Sequence, residues 1–272
     1  MLNQYLPPNI GIYLNKKPII DIKSLIEKQS TKYVICIDGL AGSGKSTLGK
    51  HLADILRIPH ISSGIFYRVY TYIFCLYHLE FTPENIDKLT QLINFEIHNQ
   101  EFTIIYNQNK IPLSELKNDV IDAALNRFSS NLYFRDQISK VLIKMVKTLQ
   151  QSFILDLRGA SPEYVLEVEK ENRPVIRLLL VAETNTKASR RLKEYMNLKY
   201  SKDEYYKTPN HQQELYNSLK KKIEERDAQD LESIAQTGIG LVHKQTGIID
   251  STDITEDQVT QLALQYIEDI LI

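Results

Sequence analysis

The segment from Tyr33 to Thr47, YVICIDGLAGSGKST, constrains this chain more than any other. A short apolar run ends in Asp38 and gives way to Gly39-x-x-x-x-Gly44-Lys45-Ser46, a complete phosphate-binding loop. Val34, Ile35, Cys36 and Ile37 do not alternate with polar residues, so they predict a strand buried on both faces, and Leu48 to Leu56 predicts a helix. Strand, glycine loop and helix come in the order that lets backbone N–H groups turn inward around a phosphate chain. The helix N-terminus adds partial positive charge, Lys45 reaches the outer phosphates and the Ser46 hydroxyl suits Mg²⁺. A strand buried on both faces needs parallel neighbours and helices on each side, so the expected fold class is α/β.

The loop defines a phosphate site without defining a reaction, and global properties narrow the choice only slightly. At 272 residues the chain suits one large α/β domain with an insert. Thirty-three Lys+Arg against 34 Asp+Glu leave a formal charge of -1, which argues against binding of bulk nucleic acid or an anionic membrane. Charge is nevertheless uneven: residues 187–226 hold eleven basic and six acidic side chains, a segment that faces either a nucleotide or solvent. Two cysteines, Cys36 and Cys75, make neither a disulfide framework nor a metal cluster and are expected to be buried. The N-terminus lacks a basic stretch followed by an apolar one, and no run approaches ~18 apolar residues, so a soluble cytoplasmic protein is expected.

Residues 1–32 are an N-terminal extension of unknown role, in which Ile10–Leu14 and Pro18–Ile22 are spaced for a hairpin. Beyond the loop helix, Ile58 to Ser62 predicts a second strand, and an aromatic-rich helix follows to about Leu79. Its Phe66, Val69, Tyr70, Ile73 and Phe74 recur at helical spacing, as a core stripe does, with Arg68 on the polar side. Residues 92–113 change to strand periodicity with Asn/Gln turns and predict a small antiparallel sheet inserted in the βα alternation. Helices are expected at about 115–127 and 131–150, then strands at Phe153–Asp156 and Pro174–Val181, with Arg158 just beyond the first of these. A helix carrying Lys187, Arg190, Arg191 and Lys193 follows, then a Tyr-rich connection over 196–217, a charged helix with Arg226, Asp227 and Asp230, a last strand at 246–252 and a closing amphipathic helix.

Asp156-Leu157-Arg158-Gly159 fits the DxxG pattern of GTPases, but the guanine-reading NKxD is missing: Asn15-Lys16-Lys17 precedes the loop and runs into Pro18. Arginines beyond two strands, an insert and a basic late segment suit a kinase with a phosphorylated acceptor, which must clamp two anions and exclude water.

From about residue 33 onward the chain resembles the bacterial cytidylate (CMP) kinases of the nucleoside monophosphate kinase superfamily. The loop strand is similar to that family's first signature, and Ser63-Gly64-Ile65-Phe66-Tyr67-Arg68 to its second. The 92–113 sheet, followed by Glu115-Leu116-Lys117 and Ala123-Ala124, resembles its NMP-binding insert. Asp156-Leu157-Arg158 resembles its DGR motif, and Arg190-Arg191, Ile223 to Asp227 with Asp230, and Ile249 to Thr252 resemble its lid entry, lid helix and last strand. The resemblance implies a parallel sheet flanked by helices, with a core at 33–80, 151–195 and 236–272, an NMP-binding insert at about 81–150 and a lid at about 196–235.

It further implies Mg²⁺ with ATP as donor, a nucleoside monophosphate as acceptor, and a monomer. ATP would contact Gly39, Ala41, Gly42, Ser43, Gly44, Lys45, Ser46, Thr47, Arg190 and Arg191; the metal would lie at Ser46 and Asp156, or near Asp38 through water. Ser63, Arg68, Asn126, Arg135, Arg158, Gly159 and Asp230 would form the acceptor site, with Lys45, Arg158 and Arg226 acting in catalysis. Gly159 stands where the family has a cytosine-reading Asp, Asn126 near a base-contacting Ser, and Ser233 where a second lid Arg belongs. These departures leave open a kinase with another acceptor or a non-catalytic nucleotide-binding protein.

Overall fold

A computed structural model describes residues 12–13, 32–98, 101–116, 118–157, 173–198, 205, 208–237 and 246–271. The first half runs β1 (Ile12–Tyr13), β2 (Val34–Gly39), α1 (Lys45–Leu56), β3 (His60–Ser62), α2 (Ser63–Leu76), α3 (Pro83–Leu92), β4 (Ile93–His98), β5 (Glu101–Tyr106) and β6 (Asn109–Lys110). The second continues with α4 (Asp119–Ser129), α5 (Leu132–Thr148), β7 (Phe153–Asp156), β8 (Val175–Val181), α6 (Thr184–Leu198), α7 (Pro209–Thr237), β9 (Thr246–Asp250) and α8 (Glu256–Leu271).

The predicted buried strand is the centre of the molecule. β2 pairs in parallel with β7, Val34 opposite Phe153, and with β8, Val34 opposite Val175. The full order is β1-β9-β8-β2-β7-β3, all parallel, so the chain leaves β2 toward one edge and returns toward the other. Ligands in open α/β sheets collect outside the strand carboxyl ends at such a reversal.

Alternation along β2 divides two cores. Val34 and Cys36 join α2 and α5 through Phe66, Tyr70, Phe134 and Ile138, while Ile35 and Ile37 join α1 and α8 through Leu48, Leu52, Ala263 and Ile267. The expected stripe of Phe66, Val69, Tyr70, Ile73 and Phe74 is buried throughout. Phe66 meets Phe95 and Phe102 of the antiparallel β4-β5-β6 sheet at 4.6 and 5.7 Å between centroids, which fastens that sheet to the parallel one.

Some expectations change. Of the N-terminal hairpin, Ile12–Tyr13 instead extends the β9 edge in parallel, and its second arm lies outside the described residues. The aromatic helix stops at Leu76, and His78 takes a left-handed φ of 49°. Helix α3 is not among the expected elements, although Thr82 accepts from the Asn85 N–H at 3.3 Å and Pro83 occupies the first turn, a start signal present in the sequence. The Tyr-rich connection is shorter than expected, since Pro209 already opens the 29-residue α7. Cys36 is buried, but Cys75 is only half-buried. No helix among the described residues is long and apolar enough to cross a membrane.

Gly49 sits inside α1, where glycine costs about 1 kcal/mol relative to alanine. A Cβ there would lie 2.4 Å from Nε2 of His60, so the bare backbone admits that ring.

Candidate active site

At the carboxyl edge of the central strands, four side chains converge on one carboxylate. Asp156, the last residue of β7, accepts from Ser46 Oγ at 2.9 Å and from His60 Nε2 at 3.0 Å on Oδ2, and from Ser62 Oγ at 2.7 Å on Oδ1. Lys45 supplies a nearby positive charge. Burial alone would raise the Asp156 pKa, but the His60 hydrogen bond and charge, the Ser62 hydroxyl and Lys45 outweigh it and hold the group below the usual carboxylate range. Asp156 is therefore an anion at neutral pH. Ser46 and Asp156 offer hard oxygen donors side by side, a set that fits Mg²⁺, which takes one or two protein oxygens and completes its shell with phosphate and water. Asp38 turns inward at the end of β2 and accepts from the Gly39 N–H at 2.8 Å.

Lys45 opens α1 and donates to the Leu40 carbonyl at 3.0 Å. Its pKa is lowered chiefly by burial, with a smaller contribution from Arg226, while Asp156, Asp38 and Asp230 oppose the shift. Arg226 and Asp230 bring α7 into the site. Asp230 is itself pushed up by burial and by Asp38, against the pull of Arg226, Arg135 and Lys45, and its Oδ2 is buried without a hydrogen bond. Tyr67 is raised by burial and lies under the influence of Arg135 and Asp230, so α2 and α5 face the same cluster.

By sequence Lys187 is one basic residue among several on its helix. In the structure it is 2% exposed and ion-paired with Asp227 of α7. Its Cβ also lies 3.2 Å from where a Cβ on Gly42 would be, and Gly42 has a φ of +76°, so the loop needs glycine there for both backbone and space. Burial raises the Asp227 pKa and Asp230 adds to it, while Lys187 and the Ala41 N–H pull it down. Helices α6 and α7 thus meet directly over the phosphate loop. The spacing signal for Lys187 was one helical turn before Arg190 and Arg191, but nothing local marks it as buried.

Other expected residues are distributed as follows. Arg190 donates to Ser251 Oγ at 3.0 Å and to the Ser251 carbonyl, and Ser251 Oγ reaches the Ser43 carbonyl at 3.1 Å, which links Arg190 to the loop. Arg191 instead is exposed, paired with Glu194 at 2.5 Å and set over the Tyr195 ring. Ser63 is buried at the start of α2. Arg68 donates to the Leu116 carbonyl at 2.8 Å and pairs with Asp122 at 2.6 Å, so it faces the segment after β6 rather than bare solvent. Arg158, Gly159 and the side chains of Asn126 and Ser233 lie outside the described residues.

The sequence matches the family profile of cytidylate kinase over residues 35–269. The chain belongs to the cytidylate kinase family. It is 26% identical to the cytidylate kinase of Aquifex aeolicus (strain VF5) over 200 residues, covering 73% of this chain and 80% of that protein. It is 30% identical to the cytidylate kinase of Borrelia turicatae (strain 91E135) over 160 residues, covering 58% and 69%. Among solved structures it is similar to shikimate kinase from Bacteroides thetaiotaomicron, with a TM-score of 0.41 and 16% identity over 89% of this chain and 100% of that one. As a family member it is a phosphotransferase of the nucleoside monophosphate kinase type.

Proposed function

We propose that the protein transfers the γ-phosphoryl group of Mg-ATP to a nucleoside monophosphate, with CMP, dCMP or a related nucleotide as acceptor. The observation that carries this reading is the meeting of Lys45, Ser46 and ionised Asp156 at one strand edge, with Arg226, Asp230 and Arg135 in electrostatic reach. Residues of about 81–150 serve as the NMP-binding insert and about 196–235 as the lid.

An oxygen of the acceptor phosphate attacks the γ-phosphorus, the bond to the β–γ bridging oxygen breaks, and ADP leaves with that electron pair. Lys45 and the loop amides from Gly39 to Thr47 hold the donor phosphates, with Arg190 behind them. Ser46 and Asp156 would hold Mg²⁺, with Asp38 as a further carboxylate acting through water, and the ion would supply positive charge against the phosphates. Arg226 offsets charge that develops on the transferring group, and Arg68 and Arg158 grip the acceptor phosphate. Ser63, Asn126, Arg135, Gly159 and Asp230 are assigned to binding of the acceptor nucleotide. Positioning and electrostatics suffice without a covalent intermediate.

Coupled assays over CMP, dCMP, UMP and AMP test the reading: transfer to at least one acceptor is expected, and tight ATP binding with no transfer to any would refute it. Gly159 in place of a base-reading Asp removes a discriminating acceptor, so the preference for CMP over UMP should fall well below about 10⁴, and Gly159→Asp should raise it. Exclusive use of CMP by the unmodified protein would assign base reading to Asn126, Arg135 or a further residue outside this set.

Arg68→Ala should raise the KM for the acceptor about 10- to 100-fold, the worth of a hydrogen bond to a charged group, with the Kd for ATP unchanged. Equal losses for both substrates would make Arg68 a strut between α2 and its Leu116 and Asp122 partners instead.

A further inference from the structure

Asp156 has more partners than a metal-side carboxylate requires, and one of them has been given space at a cost. His60 donates from Nε2 to Oδ2 at 3.0 Å, with the His60 and Asp156 side chains 12% and 5% exposed. The direction of this bond follows from chemistry, because an ionised carboxylate only accepts. The Nε2 end of the ring lies against the bare backbone of Gly49: a Cβ there would meet Nε2, Cδ2 and Cε1 at 2.4, 2.7 and 3.0 Å. Any other residue at this helix position would displace the ring.

Packing does not explain this arrangement, because the ring borders an open surface cavity of about 340 Å³ lined also by Lys50, Ala53, Asp54 and Ile58. A residue that only filled core space would not need a glycine beneath it and an open cavity beside it. Hydrogen bonding does explain it. The terminal torsion of an aspartate is broad, so a carboxylate alone samples many orientations. Here Ser62 holds Oδ1 at 2.7 Å while His60 and Ser46 hold Oδ2. If the Ser46 hydroxyl turns toward a cation, His60 and Ser62 still fix the plane of the carboxylate.

We propose that His60, seated on Gly49, is a positioning residue that orients Asp156 toward the divalent cation of the nucleotide complex. The inference rests on the assignment of Asp156 to the metal side of the site. Partners that orient metal-binding groups typically govern metal affinity as well as activity.

The test is Mn²⁺ binding to the protein–ADP complex, read from the electron paramagnetic resonance signal of free Mn²⁺. His60→Leu retains bulk without the donor, and it should weaken Mn²⁺ binding about tenfold while ADP affinity in EDTA shifts less than about twofold. The Mg²⁺ concentration for half-maximal turnover should rise in parallel, and His60→Gln, whose amide can reach the same oxygen, should recover most of the loss. Gly49→Ala keeps the histidine but pushes its ring aside while improving helix propensity, so it should reproduce the defect even if the leucine variant folds poorly. The double variant Gly49→Ala/His60→Leu should be no worse than either single one. Wild-type Mn²⁺ affinity in Gly49→Ala or His60→Leu would overturn the inference. Asp156→Asn separates the two ideas: loss of Mn²⁺ there without loss in the other variants refutes only the role of His60, whereas retained binding refutes the assignment of Asp156 as well.

Discussion

Lys45→Met is expected to slow phosphoryl transfer by about 10³-fold or more, because a single preorganised charge on a transferring phosphoryl group accounts for rate factors of that size. The fold should survive the change. Lys45 is buried at the mouth of α1, and desolvation lowers its pKa below the ordinary lysine value of 10.5 despite three neighbouring aspartates. A lysine whose folded pKa is depressed carries a penalty for its charge that is fully present below the folded pKa and fades as pH rises through the unfolded value. The methionine variant should therefore melt no lower than the parent near neutral pH, and any gain should shrink in alkali. Calorimetry and a coupled ADP assay on the same preparation check both halves. Retained turnover with a normal melting curve would remove the donor-site assignment of the loop.

Lys187→Met should have the largest effect on stability. The variant leaves Asp227 buried without its ion-pair partner, and breaking such a pair from one side costs about 3–5 kcal/mol, on the order of 10 °C in melting temperature for a chain of this size. Lys187→Met/Asp227→Leu should recover most of that loss, since an apolar pair of similar volume removes the stranded charge. Turnover should not recover with it, because a leucine at 227 cannot accept from the Ala41 N–H, the bond that ties α7 to the phosphate loop. A single variant that melts within about 2 °C of the parent would mean that solvent screens the pair as it does an exposed one.

Element identity was largely legible in the chain. The unbroken apolar run of β2, the 3.6-residue stripe of α2 and the two-residue alternation of β4 and β5 each report the environment of the segment that carries them. Boundaries were less so. Helix α3 has a readable Thr82-Pro83 start but only ten residues, with Ile86 and Leu89 buried, and it borders a strand directly, so the apolar positions at its end read equally well as sheet. At the head of α7, Pro209 to Tyr216 is polar and half-exposed, and the helix is held there by packing of α6 against α7, which no local period reveals.

The site divides along the same line. Gly39 to Thr47 act within one strand–loop–helix unit whose geometry depends on backbone conformations near in sequence, so the chain alone determined a phosphate cradle with Lys45 and Ser46 in it. Partners far apart along the chain had no such signature. Ser46 meets Asp156 across 110 positions, His60 meets it across 96, Lys187 meets Asp227 across 40, and Ser251 reaches the Ser43 carbonyl across 208. Those encounters depend on the order β9-β8-β2-β7-β3 and on α7 folding back over α6, both selected by burial of two apolar faces at once. Apolar burial is non-directional, so residue patterns record that a face is covered and leave its partner unspecified. Only the packed structure decided that Lys187 stands beside the phosphate loop and His60 beside Asp156, both unremarkable in the sequence.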